Sequence, residues 1–280
     1  MQDHHRRIWR RALRAALAAC SATAVVCVGS RIVGRKLLFR AQDVHLDVLP
    51  AGVTEIRAPA RDGVEVRWLE MNVPPREPGA FVVVHFHNNR ETAEQSLSLA
   101  RELADRGLGV VLVEYRGYGR SVQGSPSEAG LYEDAEAALD SLAARGIGPD
   151  RIVLWGTSLG SGVAAEMAAR GRGARLVLVS PYTSIPDLVS AVVPFLPAGA
   201  LLADHFDTLS KASAITIPTT VVHGDADEIV PFRMGELVAA AIPGARLVRI
   251  PGGRHGDLLY RAHAQVLDVI AGPSRLPTRR

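Results

Sequence analysis

Ile152-Val153-Leu154-Trp155-Gly156-Thr157-Ser158-Leu159-Gly160-Ser161-Gly162-Val163-Ala164-Ala165 decides how this chain folds. The first four residues form a short apolar run that reads as a buried parallel strand. From Ser161 to Ala169 the chain is rich in small residues and reads as a helix. Between them Ser158 sits on the turn, with Gly156 and Gly160 two residues away on each side. A turn this tight would bring bulkier flanking residues into the neighbouring strand and helix. It would also push the Ser158 hydroxyl out at the end of the sheet and aim the amides at the start of the helix toward it. A glycine pair around a serine can arise by chance in a chain with 26 glycines. The rest of the sequence therefore has to supply the context.

Two later segments do so. Thr220-Val221-Val222-His223-Gly224-Asp225-Ala226-Asp227-Glu228-Ile229-Val230-Pro231 reads as a strand running into a turn with two aspartates. Leu247-Val248-Arg249-Ile250-Pro251-Gly252-Gly253-Arg254-His255-Gly256-Asp257 reads as a strand running into a glycine-rich loop with a histidine. Each candidate follows the C-terminal end of a strand, where open α/β sheets place their sites. A serine hydroxyl is a poor nucleophile near neutral pH. A histidine can take its proton and return it to the leaving group, and a carboxylate can hold the imidazole tautomer. Asp225 and Asp227 both stand where that carboxylate is needed.

Tetrahedral chemistry at Ser158 also needs two backbone N–H donors. Leu159, directly after the serine, is one candidate. The loop His87-Asn88-Asn89-Arg90, after the apolar strand Phe81-Val82-Val83-Val84-His85-Phe86, supplies the other, with Asn89 as the candidate. His85, His87 and His223 read as structural, and His205 and His263 have no assignable role. No His/Cys/Asp/Glu set has convincing zinc spacing, so no metal is expected.

Net charge is +3 over 280 residues, but it is unevenly spread. Residues 1–40 hold nine Lys/Arg against one Asp, whereas 41–280 hold 23 basic and 28 acidic residues. A mildly acidic body without a basic stripe argues against nucleic-acid binding. Both cysteines, Cys20 and Cys27, lie in the N-terminal stretch, which excludes a cysteine nucleophile or a disulfide in the body. Arg6, Arg7, Arg10, Arg11 and Arg14 precede an uncharged run over 15–30. Its sixteen residues are fewer than the roughly 20 of a comfortable membrane span. The run reads as a single-pass signal anchor that leaves the body outside the cytoplasm. A cleaved secretory signal and an amphipathic or buried helix are the alternatives.

Past this arm, two strands near 53–58 and 63–71 flank a hairpin turn at Arg61-Asp62-Gly63. Strands and helices then alternate: strands 81–86, 109–114, 151–155, 175–179, 217–222 and 246–250, and helices 91–106, 128–145, 159–170, 233–241 and 257–270. This alternation predicts an α/β fold with a mostly parallel central sheet and helices on both faces. Residues 181–210 break the pattern with an apolar insertion, Pro194-Phe195-Leu196-Pro197 and Leu201-Leu202, read as a small cap beside Ser158 or as core. The domain reading is an arm over 1–40, one catalytic domain over 41–272 and a disordered tail over 273–280.

Tyr115-Arg116-Gly117-Tyr118-Gly119-Arg120-Ser121, Gly156-Thr157-Ser158-Leu159-Gly160, His223-Gly224-Asp225-Ala226-Asp227 and Gly252-Gly253-Arg254-His255 occur in that order. Together they resemble the membrane-anchored serine hydrolases of the α/β-hydrolase superfamily, the Bem-type group. Its eukaryotic relatives include protein depalmitoylases; monoacylglycerol lipases and serine aminopeptidases are more distant kin. The resemblance spans roughly residues 37–270 and implies an α/β-hydrolase fold, no cofactor, and Ser158, Asp227 and His255 as a catalytic triad. It departs at Asn88, where the group usually has glycine, so a left-handed backbone is expected there. It departs again at Gly256, where asparagine is frequent. The expected activity is hydrolysis of carboxylic esters or thioesters, of acyl or lipid-like substrates, through an acyl-enzyme on Ser158. A serine peptidase and a catalytically silent binding protein are the alternatives.

Overall fold

The computed structural model describes residues 32–40, 44–73 and 80–272. The uncharged run 15–30 and the arginine-rich tail, like the proline loop at 74–79, lie outside the described residues. Among the described residues no helix is long and apolar enough to cross a membrane.

Eight strands among the described residues form one sheet in the order β1-β2-β4-β3-β5-β6-β7-β8. The hairpin β1 (Val53–Pro59) and β2 (Glu65–Met71) pairs antiparallel, and β2 pairs antiparallel with β4 (Gly109–Glu114). From β4 onward every pair is parallel: β3 (Val82–Phe86), β5 (Ile152–Thr157), β6 (Arg175–Val179), β7 (Thr219–Gly224) and β8 (Arg246–Ile250). This is the α/β-hydrolase fold, with a sheet covered on both faces as the alternation of elements predicts.

The two-residue period of the strands divides the core. Val82, Val84, Phe86, Ile152 and Leu154 face one layer, which holds α2 (Glu128–Ala144), α3 (Leu159–Ala169) and α5 (Phe232–Ala241). Val83, Val153 and Trp155 face the other, which holds α1 (Leu97–Asp105) and α6 (His263–Ala271). The continuous apolar strands of the sequence are therefore buried on both sides, as parallel strands in such a sheet must be. Ser127 caps α2, its Oγ accepting the Gly130 N–H at 3.1 Å.

Two parts differ from the sequence reading. The expected helix over 257–270 is broken: a single turn, Leu258–Arg261, is separated from α6 by Ala262. The insertion over 181–210 is split in role. Helix α4 (Ile185–Val192) and buried Phe206 pack on the body, while Phe195 is 98% exposed.

Candidate active site

The site is assembled at the C-terminal ends of β5, β7 and β8. Strand β5 runs into Ser158, whose backbone adopts φ 51°, ψ −117°, a conformation that side chains other than glycine rarely occupy. The surroundings hold it there. Ser158 N–H donates to the Val179 carbonyl at 2.9 Å, and the Ser158 carbonyl accepts both the Ser161 N–H and the Ser161 hydroxyl. The flanking glycines are required by close approach. A Cβ at Gly156 would overlap the Gly160 carbonyl, and one at Gly160 would overlap the Phe86 carbonyl oxygen on β3.

The acid turn and the histidine loop are joined by backbone bonds. Asp225 N–H donates to the Ile250 carbonyl and Ala226 N–H to that of Gly253. Gly224 and Gly253 lie so close that a Cβ on Gly224 would overlap the Gly253 carbonyl. This framework brings three side chains into line. His255 Nδ1 donates to Asp227 Oδ2 at 2.8 Å, and His255 Nε2 lies 3.0 Å from Ser158 Oγ. The other oxygen of Asp227 accepts the Ile229 and Val230 N–H groups at 3.0 and 2.8 Å. Burial pushes the Asp227 carboxyl up, but hydrogen bonds from His223 and His255 outweigh it and hold the group well below the usual carboxylate range.

Asp225 lies elsewhere. Its carboxylate binds Arg249 Nε at 2.8 Å and the Gly252 N–H at 2.6 Å, bracing the loop that carries His255.

His223, read from the sequence as structural, supports the acid turn. Its Nε2 donates to the Val230 carbonyl at 3.0 Å and stands 3.4 Å from Asp227 Oδ2. It thus props the acid turn from inside, against Gly235 of α5, where a Cβ would strike the ring. The spacing of His223 four residues before Asp227 was the available signal. His85 stacks on Trp155 at 3.7 Å, and His87 sits against Tyr115 and Tyr118; burial keeps both rings below their usual pKa, His87 at about 4. His205 contacts the Leu202 carbonyl and His263 pairs with Glu102.

Asn89 and Leu159 both line the cavity that contains Ser158. Neither amide N–H donates a hydrogen bond to another described residue. Asn88 does not take the left-handed backbone expected of it; it is absent from the positive-φ residues. Its side chain instead ties the loop together, accepting the Arg90 N–H at 2.8 Å and donating to Glu91 at 2.8 Å. The glycine usual at this position is therefore not needed here for its conformational freedom.

The cavity has a volume of about 610 Å³ and largely aliphatic walls, among them Leu188, Ile229 and Leu258. One wall comes from the arm. The helical stretch 32–38 leads into Phe39, which is buried edge-on against Phe206, and Leu37, Leu38 and Arg40 line the cavity. The Leu38 carbonyl accepts Asn89 Nδ2 at 3.1 Å, and Arg35 pairs with buried Asp204 at 2.7 Å. The end of the arm is thus folded onto the body as part of the site.

Fold and site geometry define a member of the α/β-hydrolase superfamily. The comparisons with known proteins agree, and the chain belongs to that superfamily. Residues 77–209 match the hydrolase family described as serine aminopeptidase, S33. The uncharacterized protein Rv2307c of Mycobacterium tuberculosis is 37% identical over 212 residues, 75% of this chain and 74% of its own length. YfhR of Escherichia coli K12 is 28% identical over 225 residues, 78% of each chain. Among solved structures, an esterase from Exiguobacterium antarcticum has a TM-score of 0.62 at 19% identity, covering 77% of this chain and 97% of that one. An esterase of Pyrococcus furiosus reaches 0.64 at 15% identity, covering 83% and 98%. These two likenesses speak to the fold.

Proposed function

We propose that this hydrolase cleaves carboxylic esters or thioesters through an acyl-enzyme on Ser158. The observation that carries the proposal is the unbroken contact from Asp227 through His255 to Ser158 Oγ, the last two lining the cavity. With Nδ1–H committed to the carboxylate, Nε2 is free to accept a proton. Ser158 Oγ attacks the acyl carbon as His255 Nε2 takes the hydroxyl proton. The Asn89 and Leu159 amides receive the developing oxyanion. His255 then passes its proton to the departing alcohol or thiol. Water, activated by the same imidazole, attacks the acyl-enzyme and frees the acid and Ser158.

Acyl or lipid-like substrates fit the aliphatic walls. The uncharged run over 15–30 is read as a single-pass anchor with the body on the extracytoplasmic side, because five arginines precede it and four Lys/Arg follow it. The match to a family described as aminopeptidases favours a peptidase as the second reading.

The test is labelling of the full chain and its Ser158→Ala variant with a fluorophosphonate, alongside hydrolysis of nitrophenyl esters of rising chain length and of an aminoacyl anilide. Serine-dependent labelling with ester turnover is expected. Anilide turnover well above ester turnover would favour the peptidase. A folded chain that neither labels nor turns over would leave a silent binding protein.

A further inference from the structure

The cavity walls are aliphatic, yet its lining includes two arginines from different parts of the chain, Arg40 at the end of the arm and Arg90 in the loop after β3. Both are exposed. Most described arginines are held by carboxylates: Arg35 by Asp204, Arg116 by Asp62 and Asp134, Arg145 by Glu70, Arg249 by Asp225. Arg40 and Arg90 have no carboxylate partner among the described residues. The one acid that lines the same cavity, Glu228, is already engaged, by Arg254 at 3.4 Å and by the His255 N–H at 3.3 Å. Among the described residues, the cavity thus carries two guanidinium groups without a carboxylate partner and one partnered carboxylate.

We infer that Arg40 and Arg90 form a subsite for an anionic group on the substrate, a carboxylate or phosphate at the end remote from the scissile bond. This rests on the proposed esterase reading and narrows its substrate class to esters that carry an anionic group on the acyl or the alcohol part. Guanidinium suits the task because its planar fork presents paired N–H donors to either oxyanion. Exposure at the cavity lining lets the anion keep part of its hydration while the acyl chain lies against Leu37, Leu38 and Leu188. The arm is then a specificity element: it brings one of the two charges and, through the Leu38 carbonyl, holds the side chain of Asn89 beside the other.

The test compares kcat/KM of the full chain on matched esters: nitrophenyl butyrate, its analogue with a terminal carboxylate on the acyl chain, and a phenyl butyrate carrying a carboxylate on the phenyl ring paired with its neutral carboxamide. Arg40→Gln, Arg90→Gln and the double variant follow, with Arg246→Gln, an arginine on β8 outside this cavity, as control. An exposed ion pair changes binding by up to roughly fivefold. The anionic member of one pair is therefore expected to lead by on the order of tenfold at low salt, mainly in KM. The double variant should remove that lead, Arg246→Gln should keep it, and Arg→Lys should restore it in part. A second arm separates sources, using dibutyryl glycerol phosphate as free monomer and a long-chain diacyl glycerol phosphate in phosphatidylcholine vesicles. Turnover of the monomer supports a soluble anionic ester, and turnover only in vesicles supports a lipid headgroup. Serine-dependent cleavage of neutral esters with no anionic preference, or with a preference that the double variant retains, overturns the subsite and leaves the esterase reading standing. Loss of cleavage of every ester by the wild-type chain overturns both.

Discussion

Asp227→Asn isolates what the acid does, because the structure fixes how the new amide must sit. One carboxylate oxygen accepts two backbone N–H groups, from Ile229 and Val230. An amide NH2 cannot replace an acceptor there, so the amide oxygen takes that side. The NH2 then faces His255 Nδ1 in place of the oxygen that now accepts its proton at 2.8 Å. Facing a donor, His255 must carry its proton on Nε2, and a protonated Nε2 cannot accept the Ser158 proton across 3.0 Å. The shape of the site is kept while the tautomer is wrong. In a serine protease the equivalent exchange lowers kcat by about 10⁴, or about 5 kcal/mol of transition-state stabilisation. The same loss is expected here, with KM within about threefold, in ester turnover at pH 7.5. Asp225→Asn gives the contrast: it weakens an exposed bond to Arg249, and activity should stay within about twofold. Asp227→Asn retaining a tenth of wild-type kcat, or Asp225→Asn losing as much as Asp227→Asn, would refute this reasoning.

Gly160→Ala should lower stability by about 1–3 kcal/mol, since its Cβ meets the Phe86 carbonyl; Gly199→Ala, at a position with open space, should be neutral, and equal melting temperatures for the two would refute the point. Arg67 is fully buried between Glu55, Glu94 and Glu114, so Arg67→Met leaves buried carboxylates uncompensated; a loss of about 3–5 kcal/mol is expected, seen as a drop in Tm on the order of 10 °C. Burial holds His87 neutral with a pKa of about 4 against 6.5 in the unfolded chain. Between these values the unfolded state binds more protons, so stability is present above pH 6.5 and is lost as pH falls toward 4, by about 3 kcal/mol from this group. Urea titrations of wild type and His87→Gln across that window should diverge by this amount, and parallel profiles would contradict it.

The parallel part of the fold was legible because β3, β5, β6 and β7 are rich in apolar residues and each ends in a glycine, serine or histidine loop. The elbow was legible for a stricter reason: close backbone approaches leave no alternative to Gly156 and Gly160. Position along the chain also pointed to His255. The choice between two aspartates two residues apart came from resemblance alone, because only the three-dimensional path of the turn aims Asp227 inward and Asp225 toward Arg249. Strand β2 misleads in another way. Arg67, of a residue type that is usually exposed, is fully buried because carboxylates from three other segments surround it. The role of the arm was not legible, since the contacts of Leu38 with Asn89 and Phe39 with Phe206 join residues 51 and 167 positions apart. Asn88 departed from expectation for a local reason: its side chain satisfies the loop that glycine would otherwise relieve by backbone freedom.

Acylation of Ser158 is read by mass spectrometry. The full chain is mixed with a slowly deacylating nitrophenyl ester, quenched in acid and digested. One acyl mass increment is expected, on the peptide that contains Ser158, formed with a burst of nitrophenol and absent from Ser158→Ala and Asp227→Asn on the same timescale. Steady ester turnover with no acylated peptide, or an acyl group on any other residue, would contradict it.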